Sequence, residues 1–162
     1  MLKVADILSE SVVDGKGLRT VVFLQGCPRH CKGCHNAPLI PFEGGKPYTP
    51  QALADAILAK LSPIHRGITF SGGDPLAQKD DLDKVVDLLR EKKPDLNIWV
   101  YTGYLFEEVK DYSVVKKINV LVDGPFILEQ RDISLPFKGS SNQRVIDIPK
   151  TYEQRAIALL EL

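Results

Sequence analysis

The stretch "RTVVFLQGCPRHCKGCHN", residues 19–36, decides the fold and raises the functional question. Its first seven residues, 19–25, are β-branched and apolar on both faces, as a strand buried between helix layers would be. Glycine and proline then break the strand, and a loop follows that holds all three cysteines of the 162-residue chain: Cys27, Cys31 and Cys34. The spacing is C-x3-C-x2-C, with His35 directly after. Two thiols would make a disulfide or a redox pair, and four would close a tetrahedral metal site. The chain has three.

Outward from this stretch, strand-like and helix-like segments alternate. Residues 67–73, 96–103, 118–124 and 144–148 read as further strands. Thr49 and Pro50 predict an N-cap and first helical residue, opening a helix through Leu61. Residues 80–93 carry apolar side chains at close to helical spacing, and Pro94 stops them. Residues 105–118 predict one or two short helices, and 41–50 a loop. A closing helix is expected over 151–162, capped by Thr151. The order β-α-β-α-β-α-β predicts a mainly parallel sheet with right-handed crossovers. The chain is too short for a closed eight-stranded barrel of about 250 residues. The expected α/β fold is therefore a partial, open barrel with a curved sheet, in one domain spanning 1–162.

Composition narrows the class. Hydrophobic residues make up 44% and charged residues 26%, and 21 basic residues balance 21 acidic ones. A polyanion is not suggested as the main partner. The opening residues carry Asp6 and Glu10 and lack a signal-peptide apolar run. No apolar run approaches the ~18 residues of a membrane span. Clustered cysteines, odd in number, fit a reducing, cytoplasmic setting.

In parallel sheets, functional groups gather at the C-terminal strand ends. Four predicted strands end in unusual chemistry: the cysteine loop, "SGGDP" (71–75), "YTG" (101–103) and "VDGP" (122–125). Adjacent and parallel, they would share one rim. Two metal chemistries suit the cysteines. Cys27, Cys31, Cys34 and His35 would form a Cys3His zinc set, although consecutive side chains at 34 and 35 usually point apart. A cubane cluster takes one thiolate per iron, so three cysteines would leave the fourth iron open to a substrate. Gly72 and Gly73 let backbone approach a ligand closely, and Asp74 suits a cationic amino group. Gly-Gly-Asp-Pro is also good turn chemistry.

With these residues the chain resembles the radical S-adenosylmethionine superfamily, through C-x3-C-x2-C at the end of a first strand and a glycine-glycine-acid motif after the next. The resemblance runs from about residue 10 to 148. "DGKGLR" (14–19) is similar to the opening of glycyl-radical-enzyme activases. "YTGY" (101–104), "LVDGPF" (121–126) and "GSSNQRVID" (139–147) resemble the branch that activates the anaerobic (class III) ribonucleoside-triphosphate reductase. The resemblance implies a 4Fe-4S cluster on Cys27, Cys31 and Cys34, with the amino and carboxylate groups of S-adenosylmethionine on the open iron. Reductive cleavage would give a 5′-deoxyadenosyl radical, which abstracts a Cα hydrogen from a glycine of the reductase. Reduced flavodoxin is the implied electron donor. The implied cofactor contacts are Gly33, Cys34, His35, Gly72, Gly73 and Asp74. Thr102 and Asp123 mark positions where such activases can hold a monovalent cation, with a strand-end cap and turn as the equal alternative. Asp74 stands where Glu is more widespread, and Gly33 where an aromatic residue is common. Ser140, Ser141, Asn142 and Arg144 are candidates for cofactor or partner contact. Arg19 is expected to pair with Asp14, while Trp99 and Tyr101 read as core.

Overall fold

The computed structural model describes residues 1–34 and 36–161. Seven strands form one sheet: β1 (Leu2–Ser11), β2 (Arg19–Leu24), β3 (Lys46–Tyr48), β4 (Gly67–Gly72), β5 (Asn97–Tyr101), β6 (Val120–Asp123) and β7 (Arg144–Asp147). Their order is β3-β1-β2-β4-β5-β6-β7. The four central strands are parallel, as the alternating sequence demands. The flanking pairs, β1 with β2 and β3, and β7 with β6, are antiparallel. The sheet stays open, with β3 and β7 as its ends.

Among the described residues, four α-helices accompany it: α1 (Pro50–Lys60), α2 (Lys79–Lys92), α3 (Phe106–Val109) and α4 (Ile148–Gln154). α1 begins as expected, with the Thr49 hydroxyl accepting from the Ala52 N–H at 3.0 Å. Inward residues of α1 and α2, such as Leu53, Ile57, Leu82, Val86 and Leu89, join Val22, Leu24, Ile68, Phe70, Ile98, Val100 and Leu121 in the larger core. These strand residues alternate with a second set facing the other way, as the period of two requires. On that side Trp99, Val120, Val122 and Val145 pack with Tyr101, Phe137 and Leu160. β2, β4 and β5 therefore lie between a helix layer and a covering of loops, where the sequence predicted helices on both sides.

Three further elements differ from the expectation. β1 and β3 were not anticipated: β1 carries Lys3, Asp6 and Glu10, so its apolar pattern is weak. The closing helix is shorter and earlier. Its cap is Asp147, which accepts from the Lys150 N–H at 3.0 Å, with Pro149 in the first turn. Thr151 instead lies buried within α4, its hydroxyl accepting from the Ala158 N–H. Arg155 in the left-handed region (φ 55°) ends the helix, and the chain then runs along β7. There Leu160 N–H donates to Val145 and Asp147 N–H to Ala158. No described helix is long and apolar enough to cross a membrane.

Candidate cofactor site at the strand ends

The predicted convergence at one rim is present. A cavity of about 580 Å³ opens there, lined by Cys27, Cys31 and Cys34 together with Gly72, Gly73, Thr102, Gly103 and Gly124. Its floor is the loop-side row of the sheet. Phe23 and Ser71, register partners on β2 and β4, line it with Tyr101 of β5. Asp14, from the loop between β1 and β2, lines it as well.

The cysteine loop is tied at its base. Gly26 N–H donates to Leu39 O at 2.8 Å and Cys27 N–H to Ile40 O at 2.9 Å. Inside the loop, Cys34 N–H reaches Cys31 O at 3.1 Å. Gly33 takes φ +78°, where a side chain would be strained and would begin 2.7 Å from Leu128. The glycines of the second strand end are sterically required. A Cβ on Gly73 would lie 2.3 Å from the Gly26 oxygen, and one on Gly72 (φ +107°) 2.4 Å from the Leu24 backbone. The Asn36 side-chain amide donates to Gly72 O at 3.1 Å, tying the cysteine loop to this turn.

Asp74 is fully buried and does not line the cavity. Its carboxylate accepts from the Thr102 hydroxyl at 2.8 Å, the Gly103 N–H at 3.0 Å and the Leu76 N–H at 3.0 Å. Arg29 completes the set at 2.7 Å. Burial pushes the Asp74 carboxyl above its ordinary value, while Gly103, Thr102 and Arg29 pull against it. The Cys27 thiol is likewise pushed up, first by burial and also by the Asp74 charge, with the Arg29 N–H opposing.

Thr102 lines the cavity, whereas Asp123 lies buried behind it. Asp123 accepts from the Phe106 N–H at 2.8 Å and from Arg144, Nε at 3.0 Å and Nη2 at 2.5 Å. The segment 139–147 shapes the loop over the cavity. Ser140 accepts from the Ile127 N–H, Ser141 donates to Gln130, and Asn142 donates to Pro125 O. Gln143 bridges the Gly139 N–H and Gly124 O, and both Gly139 and Gln143 line the cavity. His35 lies outside the described residues. Arg19 does not pair with the Asp14 carboxylate; its guanidinium donates to Thr69, Lys16 O, Ile68 O and Asn97 O, and burial lowers its pKa to about 10. Trp99 is core, but Tyr101 faces the cavity. Arg29, Asn36 and Lys138 were not picked out by sequence, and Ser71 and Tyr101 only as members of the strand-end motifs or as core. Arg29 carried a signal, as a cation set among three candidate ligands.

The donor set can be weighed against both metal chemistries. Among the described residues, no three His, Cys, Asp or Glu side chains converge on one ion. A compact zinc site needs that convergence. A cubane needs thiolates spread around a shared volume, one for each of three irons. Three cysteines around one cavity, beside close-approach glycines, fit the second demand.

Comparison with known proteins agrees with this chemistry. A family described as "4Fe-4S single cluster domain" matches residues 13–146. The anaerobic ribonucleoside-triphosphate reductase-activating protein of Escherichia coli K12 is 40% identical over 141 residues, 83% of this chain and 91% of that one. The protein of that name from Vibrio cholerae is 41% identical, over 82% and 89%. That of enterobacteria phage T4 is 31% identical, over 82% and 86%. A solved structure of QueE from Escherichia coli aligns at a TM-score of 0.48 with 15% identity, over 75% of this chain and 70% of that one, too distant to bear on the chemistry.

Proposed function

Because the chain belongs to the family of anaerobic ribonucleoside-triphosphate reductase-activating proteins, we propose that it makes a glycyl radical on that reductase by reductive cleavage of S-adenosylmethionine at a 4Fe-4S cluster. The observation that supports this most is that Cys27, Cys31, Cys34, Gly72 and Gly73 line the same cavity. When bound, the cluster supplies the electron that breaks the sulfonium C–S bond, giving methionine and a 5′-deoxyadenosyl radical that takes a Cα hydrogen from the reductase glycine and leaves as 5′-deoxyadenosine.

The chain's own residues bind, orient and enclose. Cys27, Cys31 and Cys34 would hold the cluster, which with three thiolate ligands would keep one iron open to S-adenosylmethionine. The backbone at Gly33 and Cys34, with Gly72 and Gly73, would line the bound cofactor. Asp74 acts from behind, fixing Thr102 and Gly103 at the cavity wall. Asp123 locks β6 to β7 through Arg144, and so places Gly124 and Gln143. Of the two positions proposed for a monovalent cation, Thr102 lines the cavity and Asp123 is buried on Arg144 behind it. Phe23, Phe126 and Phe137 give the cavity apolar walls that keep water from a radical. The mouth of the cavity admits the glycine segment of the reductase, and reduced flavodoxin delivers the electron.

The test is anaerobic reconstitution with iron and sulfide, reduction, and addition of S-adenosylmethionine. 5′-Deoxyadenosine is expected from the wild type and not from Cys31→Ala. A colourless protein with one tight zinc and no 5′-deoxyadenosine would overturn the proposal. Cofactor cleavage without a radical on the reductase would point to another protein or small-molecule substrate.

A further inference from the structure

The cysteine loop carries its own cation. Arg29 stands two residues after Cys27 and two before Cys31, and its side chain lines the same cavity as the three thiols. Its charged end is held from several sides. Nη1 donates to Asp74 Oδ2 at 2.7 Å. The guanidinium lies over the Tyr104 ring, 4.1 Å from its centre. Gly103 leaves the space it occupies, since a Cβ there would begin 2.7 Å from Nη1. Asp74, the counter-charge, is fully buried and anchored by Thr102, Gly103 and Leu76.

We propose that Arg29 is a positioning residue for the cluster: it pins the cysteine loop to the β4 and β5 strand ends and, as a fixed cation at the cavity of the three thiols, raises the cluster's reduction potential, with Asp74 as the opposing charge. This rests on the reading that Cys27, Cys31 and Cys34 hold a 4Fe-4S cluster. Reduction adds one electron, and hence one negative charge, to the cluster. A fixed cation nearby favours the reduced state. A buried anion disfavours it, and water screens neither strongly here. The two partners therefore act with opposite sign, although they share one ion pair. Lysine at 29 would keep the charge but lose the planar stack on Tyr104 and the fixed donor geometry.

The experiment uses the full chain, reconstituted with iron and sulfide, as wild type, Arg29→Gln, Arg29→Lys, Asp74→Asn and the Arg29→Gln/Asp74→Asn pair. Iron and sulfide content is measured first. The midpoint potential is then read from the EPR signal of the reduced cluster during dithionite titration. Arg29→Gln is expected to shift the midpoint to more negative values and Asp74→Asn to more positive ones. The double variant should return toward wild type, and Arg29→Lys should stay nearer wild type than Arg29→Gln. An unmoved midpoint in Arg29→Gln, or single variants that move in the same direction, would overturn the inference and leave the cluster assignment standing. If Arg29→Gln takes up no cluster, Asp74→Asn and Arg29→Lys decide by the same signs. A wild type that holds zinc and no sulfide would overturn both this inference and the function it rests on.

Discussion

Asp123 is where a single side chain does most for the site without entering it. Its carboxylate is fully buried and meets Arg144 through two nitrogens, while Arg144 also reaches Glu107 at 2.6 Å. That pairing holds the Arg144 guanidinium above its usual pKa and Glu107 below the usual carboxylate range. Removing one partner of a buried pair leaves the other charge without its counterion, at about 3–5 kcal/mol when burial is complete. Arg144 keeps some exposure and its contact with Glu107, so Asp123→Asn is expected to cost about 2–3 kcal/mol. Urea unfolding of the metal-free protein measures it. A loss under about 0.5 kcal/mol, the range of ordinary surface substitutions, would show that the pair does not brace β6 and β7. At this scale the cysteines and glycines were legible in the sequence, because spacing and missing side chains are local properties. The fates of the two aspartates were not. Asp74 finds Arg29 45 residues away and Asp123 finds Arg144 21 away, and no local pattern says which cation a carboxylate will meet.

Among the elements, the stretch after α4 does work that its sequence hid. "AIALLEL" has helical composition, and a helix is what it predicts in isolation. Arg155 in the left-handed region stops α4 first, and residues 158–160 pair with β7. This covers the β7 edge and brings Leu160 onto Trp99, Val120, Val122 and Val145. Tertiary pairing thus overrides propensity. Deleting residues 156–162 is expected to lower stability by about 3 kcal/mol, from the loss of Leu160 and Ala158 burial with two ladder hydrogen bonds. The melting temperature would fall accordingly, and an unchanged value would contradict this role. β1 and β3 were illegible for a related reason. Their partners lie across the sheet, and Lys3, Asp6 and Glu10 blur the period of two in β1. α1 and α2, by contrast, carry their own start and stop signals at Thr49, Pro50 and Pro94, and both form close to the predicted bounds.

For the whole molecule, parallel order in β2, β4, β5 and β6 is what gathers the chemistry. Each of these strands delivers a different loop to one end: the cysteines, Gly72–Gly73, Thr102–Gly103 and Gly124. Helices cover one side of the sheet, and loops cover the other, leaving a cavity at the open end. The gathering of these loops at one rim followed from the alternating strand and helix order, which the sequence made legible, whereas the loop covering did not, since helices were expected on both sides. The cavity floor of Ser71 and Tyr101 did not, because whether a strand residue faces a helix or a cavity depends on what covers that face. The central claim is that this cavity generates a radical on a partner protein. It is tested most directly by mixing the reduced, reconstituted chain with S-adenosylmethionine and the anaerobic ribonucleoside-triphosphate reductase, and recording the EPR spectrum. A glycyl-radical doublet that requires S-adenosylmethionine and vanishes in Cys31→Ala is predicted. A chain with full iron and sulfide content that yields no doublet, or a doublet that survives Cys31→Ala, would contradict it.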